Sequence, residues 1–204
     1  GGLTAALALH RTGHAVELIE QAPVFQPLGA GIVLAPNAGR VLEALGVSLT
    51  TLGHPLAVLE VHQADGSLLQ RIEPAAAGFG SPVALTRPAL HQALLDALAA
   101  QGVPAPRLGV ALSGVDAASD GVSVTASAAL APRYDLVVGA DGIHSRVRGA
   151  ILGEVPLRYS GVTCWRGLLN DFEVHGAIEA WGGESGEARI GIVPLRDRQA
   201  YYFL

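Results

Sequence analysis

From Tyr134 to Arg148 the chain reads Tyr-Asp-Leu-Val-Val-Gly-Ala-Asp-Gly-Ile-His-Ser-Arg-Val-Arg: an apolar run, a turn of small residues around one acid, then a basic segment. Few folds accommodate that order. Asp135 to Val138 has the apolar, β-branched content of a strand buried on both faces, and such strands belong to parallel sheets covered by helices. Gly139, Ala140 and Gly142 keep the following turn open where larger side chains would block a ligand. Asp141 is thereby presented at the strand's carboxyl end, the edge of an open α/β sheet at which ligands bind. A lone carboxylate there suits hydroxyl groups better than packing.

The start of the chain supplies a second half-motif. Leu3, Ala5, Ala6, Leu7 and Leu9 stand at helical spacing, and Thr12-Gly13 supplies a stop. Ala15 to Glu20 alternates, then runs apolar and ends on an acid, the pattern of a strand. Gly2, helix, Gly13, strand and Glu20 together match the later part of a dinucleotide-binding βαβ unit. In that pattern Gly2 is the third glycine of Gly-x-Gly-x-x-Gly, and Glu20 is the acid that bonds ribose hydroxyls. Gly1 and Gln21 adjoin these two positions and are counted with the site. The first strand and two glycines would precede residue 1. A Gly-Gly start and the absence of methionine give the 204 residues the look of a piece of a longer protein.

Composition narrows the partners. A net charge of −5 and scattered basic residues argue against nucleic acid and against an anionic membrane surface. Half the chain is apolar, yet every apolar run is broken well short of the roughly 18 residues a membrane span needs. One cysteine, Cys164, cannot form an internal disulfide and fits a reducing cytoplasm. The seven histidines show no metal-ligand spacing, and Gly13 separates His10 from His14.

Residues 28 to 46 hold a glycine-rich turn, a short extended piece, Pro36-Asn37, and a helix ended by Gly46, with Asn37 as the expected N-cap. Val58 to His62 and Ser67 to Ile72 alternate about Asp65-Gly66, a hairpin signal. A helix with Pro88 in its first turn runs to about Leu98, and Arg87 just before it is placed for a phosphate. Two further strands flank Asp120-Gly121. After Pro156, the segments 163–168, 188–194 and 200–204 read as strands of a mixed or antiparallel sheet.

Gly139-Ala140-Asp141-Gly142 with Ser145-Arg146-Val147-Arg148 resembles the second dinucleotide fingerprint of the p-hydroxybenzoate hydroxylase-like flavoprotein monooxygenases. Gly29-Ala30-Gly31-Ile32 with Pro36-Asn37-Ala38 is similar to the stretch that passes beside the flavin in that family. The resemblance implies an α/β fold: a Rossmann-like FAD-binding domain, residues 1–54 and 83–155, interleaved with a mixed β-sheet substrate domain, residues 55–82 and 156–204. It implies FAD contacts from Gly1, Gly2, Glu20, Gln21, Arg87, Leu112, Asp141 and Gly142, with Leu112 at the adenine end. Val33 stands where some hydroxypyridine-acting relatives carry a histidine base, so that mechanism is not expected. Arg189 and Tyr201 match an arginine and a tyrosine that act on substrate in the urate hydroxylases.

The implied activity is hydroxylation of a small aromatic or heteroaromatic substrate with NAD(P)H and O2, through a flavin C4a-hydroperoxide. A reductase or dehydrogenase of the same fold, or an inactive FAD-binding fragment, remains the alternative. A third family motif, a Gly-Asp pair, would lie beyond residue 204, so the 204 residues are not expected to turn over alone. The intact protein is expected to be a monomer or homodimer.

Overall fold

The computed structural model describes residues 1–26, 29–78, 80–182 and 188–204. In chain order the elements begin α1 (Gly2–Arg11), β1 (Ile19–Glu20), β2 (Gly31–Leu34), α2 (Pro36–Ala44), α3 (Leu49–Leu52), β3 (His54–Pro55), β4 (Leu59–Gln63), β5 (Leu68–Ile72) and β6 (Val83–Thr86). They continue α4 (Arg87–Ala100), β7 (Arg107–Leu108), β8 (Leu112–Ala118), β9 (Gly121–Ala126), α5 (Arg146–Leu152), β10 (Arg166–Asn170), β11 (Ala177–Gly182), β12 (Ala188–Pro194) and β13 (Gln199–Phe203). The chain is α/β, with parallel and mixed sheets. It divides into two compact units, each discontinuous in sequence: Gly1–Gln26 with Leu94–Ser160, and Pro27–Ala93 with Gly161–Leu204. Residues 29–54 and 83–93, read above as part of the nucleotide-binding domain, cluster with the second unit; Leu28, in the glycine-rich stretch, lies outside the described residues.

In the first unit, α1 buries Ala6 and Leu7 on one stripe, as its spacing predicts. β1 pairs in parallel with β7, Ile19 opposite Arg107. The strand foreseen over Ala15 to Glu20 is thus a two-residue ladder, and side chains hold what precedes it. The Arg107 guanidinium donates to Glu17 at 2.6 Å and to the Ala129 carbonyl at 2.9 Å. Tyr134 donates its hydroxyl to Glu17 and, with Arg107, holds that carboxyl below its ordinary value of 4.5. β8 and β9 form the hairpin about Asp120-Gly121.

The expected buried strand over Asp135 to Val138 is not formed. Tyr134 makes one antiparallel bridge to Val122, and residues 135–138 join no ladder among the described residues. Leu136 is 58 % exposed and Val138 51 %. The physical reason is that a parallel strand is held by its neighbours, and none pairs with this segment.

The second unit carries a six-stranded sheet in the order β10-β13-β12-β11-β4-β5, antiparallel except where β11 meets β4. The hairpin about Asp65-Gly66 is β4-β5. The strand foreseen at 163–168 forms over Arg166–Asn170 instead, in register with β13. β11 was not anticipated, although Ala177-Ile-Glu-Ala-Trp alternates visibly. A three-stranded sheet, β2-β6-β3, lies in the same unit. Leu56, Ala84, Val193, Leu195 and Tyr201 make the core, with Ala30, Leu59, Ala177 and Phe203 packed against it.

Asn37 does not cap α2. Ala35 is the N-cap, because Pro36, with its fixed φ and missing N–H, starts the helix two residues earlier. Arg87 is the first residue of α4 rather than the residue before it.

Candidate functional site

α1 opens on Gly1 and Gly2 with no acidic side chain in its first turn and no side-chain cap, so its leading N–H groups and positive dipole end are unanswered by the helix itself. A Cβ built on Gly1 or Gly2 would stand 3.6 or 3.5 Å from the Ala140 Cβ, an ordinary contact. Packing therefore does not demand glycine at either position. What glycine provides there is bare backbone at a helix N-terminus, the arrangement that takes phosphate. The same contact brings the 139–142 turn beside the glycine pair, as the two half-motifs implied.

Glu20 ends β1 half-buried, and the Ala22 N–H donates to its Oε1 at 2.8 Å. That bond fixes the carboxylate and leaves the second oxygen for a ligand hydroxyl. Gln21 follows in the exposed bend. Leu112 opens β8 where the register shifts before Gly114, so the ladder slackens there.

Asp141 is engaged first within its own turn. Ser145 donates its hydroxyl to Oδ1 at 2.5 Å, while the Arg146 and Val147 N–H groups donate to Oδ2 at 2.6 and 3.2 Å. Burial alone would raise this carboxyl; the Ser145, Val147 and Arg146 donors outweigh it and hold Asp141 below its ordinary 3.8. Ser145 in turn caps α5, accepting from the Arg148 N–H at 2.9 Å. Asp141 is thus first an organiser of its turn. Gly142 beside it, at φ +77, has open space around it.

In the second unit Arg87 is held against a glycine turn. Its N–H donates to the Ala30 carbonyl at 3.0 Å, and a Cβ on Gly29, at φ +111, would meet the Arg87 Cδ at 3.0 Å. The exposed guanidinium is anchored by its stem.

Arg189 and Tyr201 share one face of the large sheet. The Arg189 guanidinium lies 5.4 Å from the Trp181 ring centroid and 5.1 Å from that of Phe203, with Glu179 Oε1 3.7 Å away. Tyr201 is 6 % exposed, its ring 5.7 Å from that of Phe203, and burial raises its phenol above the ordinary value of 10.0. Glu179, Trp181 and Phe203 were missed from sequence; the alternation of 177–181 was the available signal.

Residues 1–204 match the family model described as FAD binding domain. The chain is 36 % identical over 211 residues to 2-heptyl-3-hydroxy-4(1H)-quinolone synthase of Pseudomonas aeruginosa, covering 99 % of this chain and 53 % of that protein. It is 38 % identical over 177 residues to the 3-amino-4-hydroxybenzoate 2-monooxygenase PtmB3 of Streptomyces platensis, covering 82 % and 43 %. The crystal structure of Klebsiella pneumoniae HpxO complexed with FAD and uric acid superposes with a TM-score of 0.82 at 24 % identity, covering all of this chain and 53 % of that one, a likeness of fold. The chain spans about half the length of the curated relatives it matches. The bare helix N-terminus, the Glu20 carboxylate and a family match across every residue agree, and this chain belongs to the FAD binding domain family.

Proposed function

We propose that the whole protein is an FAD-dependent monooxygenase that uses NAD(P)H and O2 to hydroxylate a small aromatic or heteroaromatic substrate. The observation that carries the reading is the glycine pair opening α1 beside the 139–142 turn, in a chain matched throughout by an FAD-binding family. Gly1 and Gly2 would hold the pyrophosphate, Glu20 and Gln21 the adenosine ribose, and the Leu112 backbone the adenine end. Asp141 and Gly142 would face the ribityl and diphosphate region, and Arg87 with the 29–38 stretch the flavin. The bound flavin supplies hydride acceptance and oxygen activation; the chain's own residues bind, orient and exclude water. Arg189 and Tyr201 are the proposed substrate contacts, the latter as a neutral phenol that can donate or accept a hydrogen bond. Domains of 1–54 with 83–155 for FAD and 55–82 with 156–204 for substrate accord with this division of roles.

The kinship with proteins named for a quinolone and an aminohydroxybenzoate favours an aromatic substrate. Among the described residues no helix is long and apolar enough to cross a membrane, and the free Cys164 fits a cytoplasmic setting. The test is to follow NAD(P)H oxidation by the full-length protein against phenols, purines and hydroxypyridines while detecting hydrogen peroxide. Substrate-stimulated oxidation with little peroxide is expected. Oxidation with no oxygenated product would favour a reductase.

A further inference from the structure

Side chains two apart along a strand share a face, so cross-strand register defines one surface of the large sheet. Arg166 lies opposite Phe203, which lies opposite Gly191 and, through it, Glu179; Trp181 lies opposite Arg189 in the next row. On the other side of that Phe203 row, Tyr201 and Val193 run into the core. The open end of this face therefore carries two guanidiniums and two aromatic rings.

The two cations differ in how far their charge is already answered. Arg189 is pressed to the Trp181 and Phe203 rings and paired with Glu179. Arg166 is exposed, and among the described residues no carboxylate pairs with it. Its Nε donates to Cys164 Sγ at 3.3 Å, which fixes one edge of the fork and leaves the two terminal nitrogens. The Tyr201 phenol feels the charge of Arg166 ahead of that of Arg189, yet burial dominates and keeps the phenol neutral. Tyr201 is thus a neighbour of Arg166 without being its counter-ion. A planar cation with its terminal edge free, beside a neutral phenol and a ring, is suited to an anionic group carried on an aromatic.

We propose that Arg166, rather than Arg189, selects substrates by charge: it binds a carboxylate or ring oxyanion of an aromatic whose ring lies against Phe203. Cys164 steadies the guanidinium, and Arg189 completes the aromatic wall. The inference rests on the reading of this sheet face as the substrate side.

The test is calorimetric binding to the full-length FAD-loaded protein of paired probes: hydroxybenzoates against hydroxybenzamides, and hydroxynicotinate against hydroxynicotinamide. Wild type is expected to prefer the anion of each pair. Arg166→Gln should weaken anion binding roughly 10- to 100-fold and change amide binding by no more than about twofold. Arg166→Lys should retain part of the preference, as charge without the fork. Arg189→Gln should weaken both members of a pair alike. An anion-to-amide ratio unchanged in Arg166→Gln, or abolished by Arg189→Gln alone, would overturn the assignment. Failure of every probe to bind the FAD-loaded wild type would instead overturn the reading of this face as the substrate side, and the inference with it.

Discussion

Glycine does opposite things in the two units. In the second unit three consecutive aromatics of β13 lie on glycines: Tyr201 on Gly31, Tyr202 on Gly167 and Phe203 on Gly191. An added Cβ would stand 2.5 Å from the Tyr201 ring at Gly31 and 2.6 Å from that of Tyr202 at Gly167. The protein fills those clefts itself, as sheets do when an aromatic covers a glycine. In the first unit Gly1 and Gly2 meet only Ala140 at ordinary distance, and Gly142 meets nothing. Gly139 and Gly121 are exceptions there, closed by the Val147 Cβ at 2.6 Å and by the Tyr134 carbonyl oxygen at 2.8 Å. Packing thus accounts for the glycines under β13 and does not account for Gly1 and Gly2, the pair proposed to meet the pyrophosphate.

The sharpest way to break the contrast is to add one methyl to each kind. Gly31→Ala collides with the Cβ and Cγ of Tyr201, atoms that cannot swing away, and should cost about 2–3 kcal/mol in denaturant unfolding. Gly2→Ala should change stability by no more than about 0.5 kcal/mol while weakening FAD binding roughly tenfold or more. Equal stability losses would erase the distinction.

Next in size is Ser145→Ala. It removes the α5 cap and one donor to Asp141, and should cost about 1 kcal/mol, read as faster amide exchange over residues 141–152 with the large sheet unaffected.

The smallest effects come with pH, and they also divide by unit. Glu17, held below 4.5 first by the Tyr134 hydroxyl and then by Arg107, stabilises the first unit above pH 4.5 and loses that contribution as pH falls through its lowered value. Glu17→Gln should flatten the acid limb of exchange in the first unit. His62, raised above 6.5 first by the Gly66 carbonyl and then by Glu60, contributes below pH 6.5 and loses the contribution as pH rises through its raised value. His62→Gln should therefore remove a slight weakening of the β4-β5 hairpin between neutral and mildly alkaline pH.

Local signals in the sequence carried furthest. The helix stripe of α1, the Asp65-Gly66 turn and the β12 alternation depend on residues close in sequence, and each formed where its pattern placed it. What depended on partners did not follow from pattern alone. Asp135 to Val138 has strand composition, but composition cannot supply the neighbour that makes a ladder. Asp141 was legible as an acid at a strand end, and Ser145, four residues on, ties it into a local capping arrangement that its sequence also encodes. The Arg189 stack needs β11 and β13 in register, and only the sheet's long-range pairing brings Trp181, Glu179 and Phe203 around it.

The central claim is that the bare N-terminus of α1 receives FAD. The most direct measurement is the visible spectrum of the purified full-length protein, wild type and Gly2→Leu, after incubation with FAD and removal of the excess. The account predicts a flavin spectrum at near one FAD per wild-type chain and little bound flavin in a folded Gly2→Leu variant. A colourless wild type that cannot be loaded with FAD, or a Gly2→Leu variant that holds it equally well, would contradict the account.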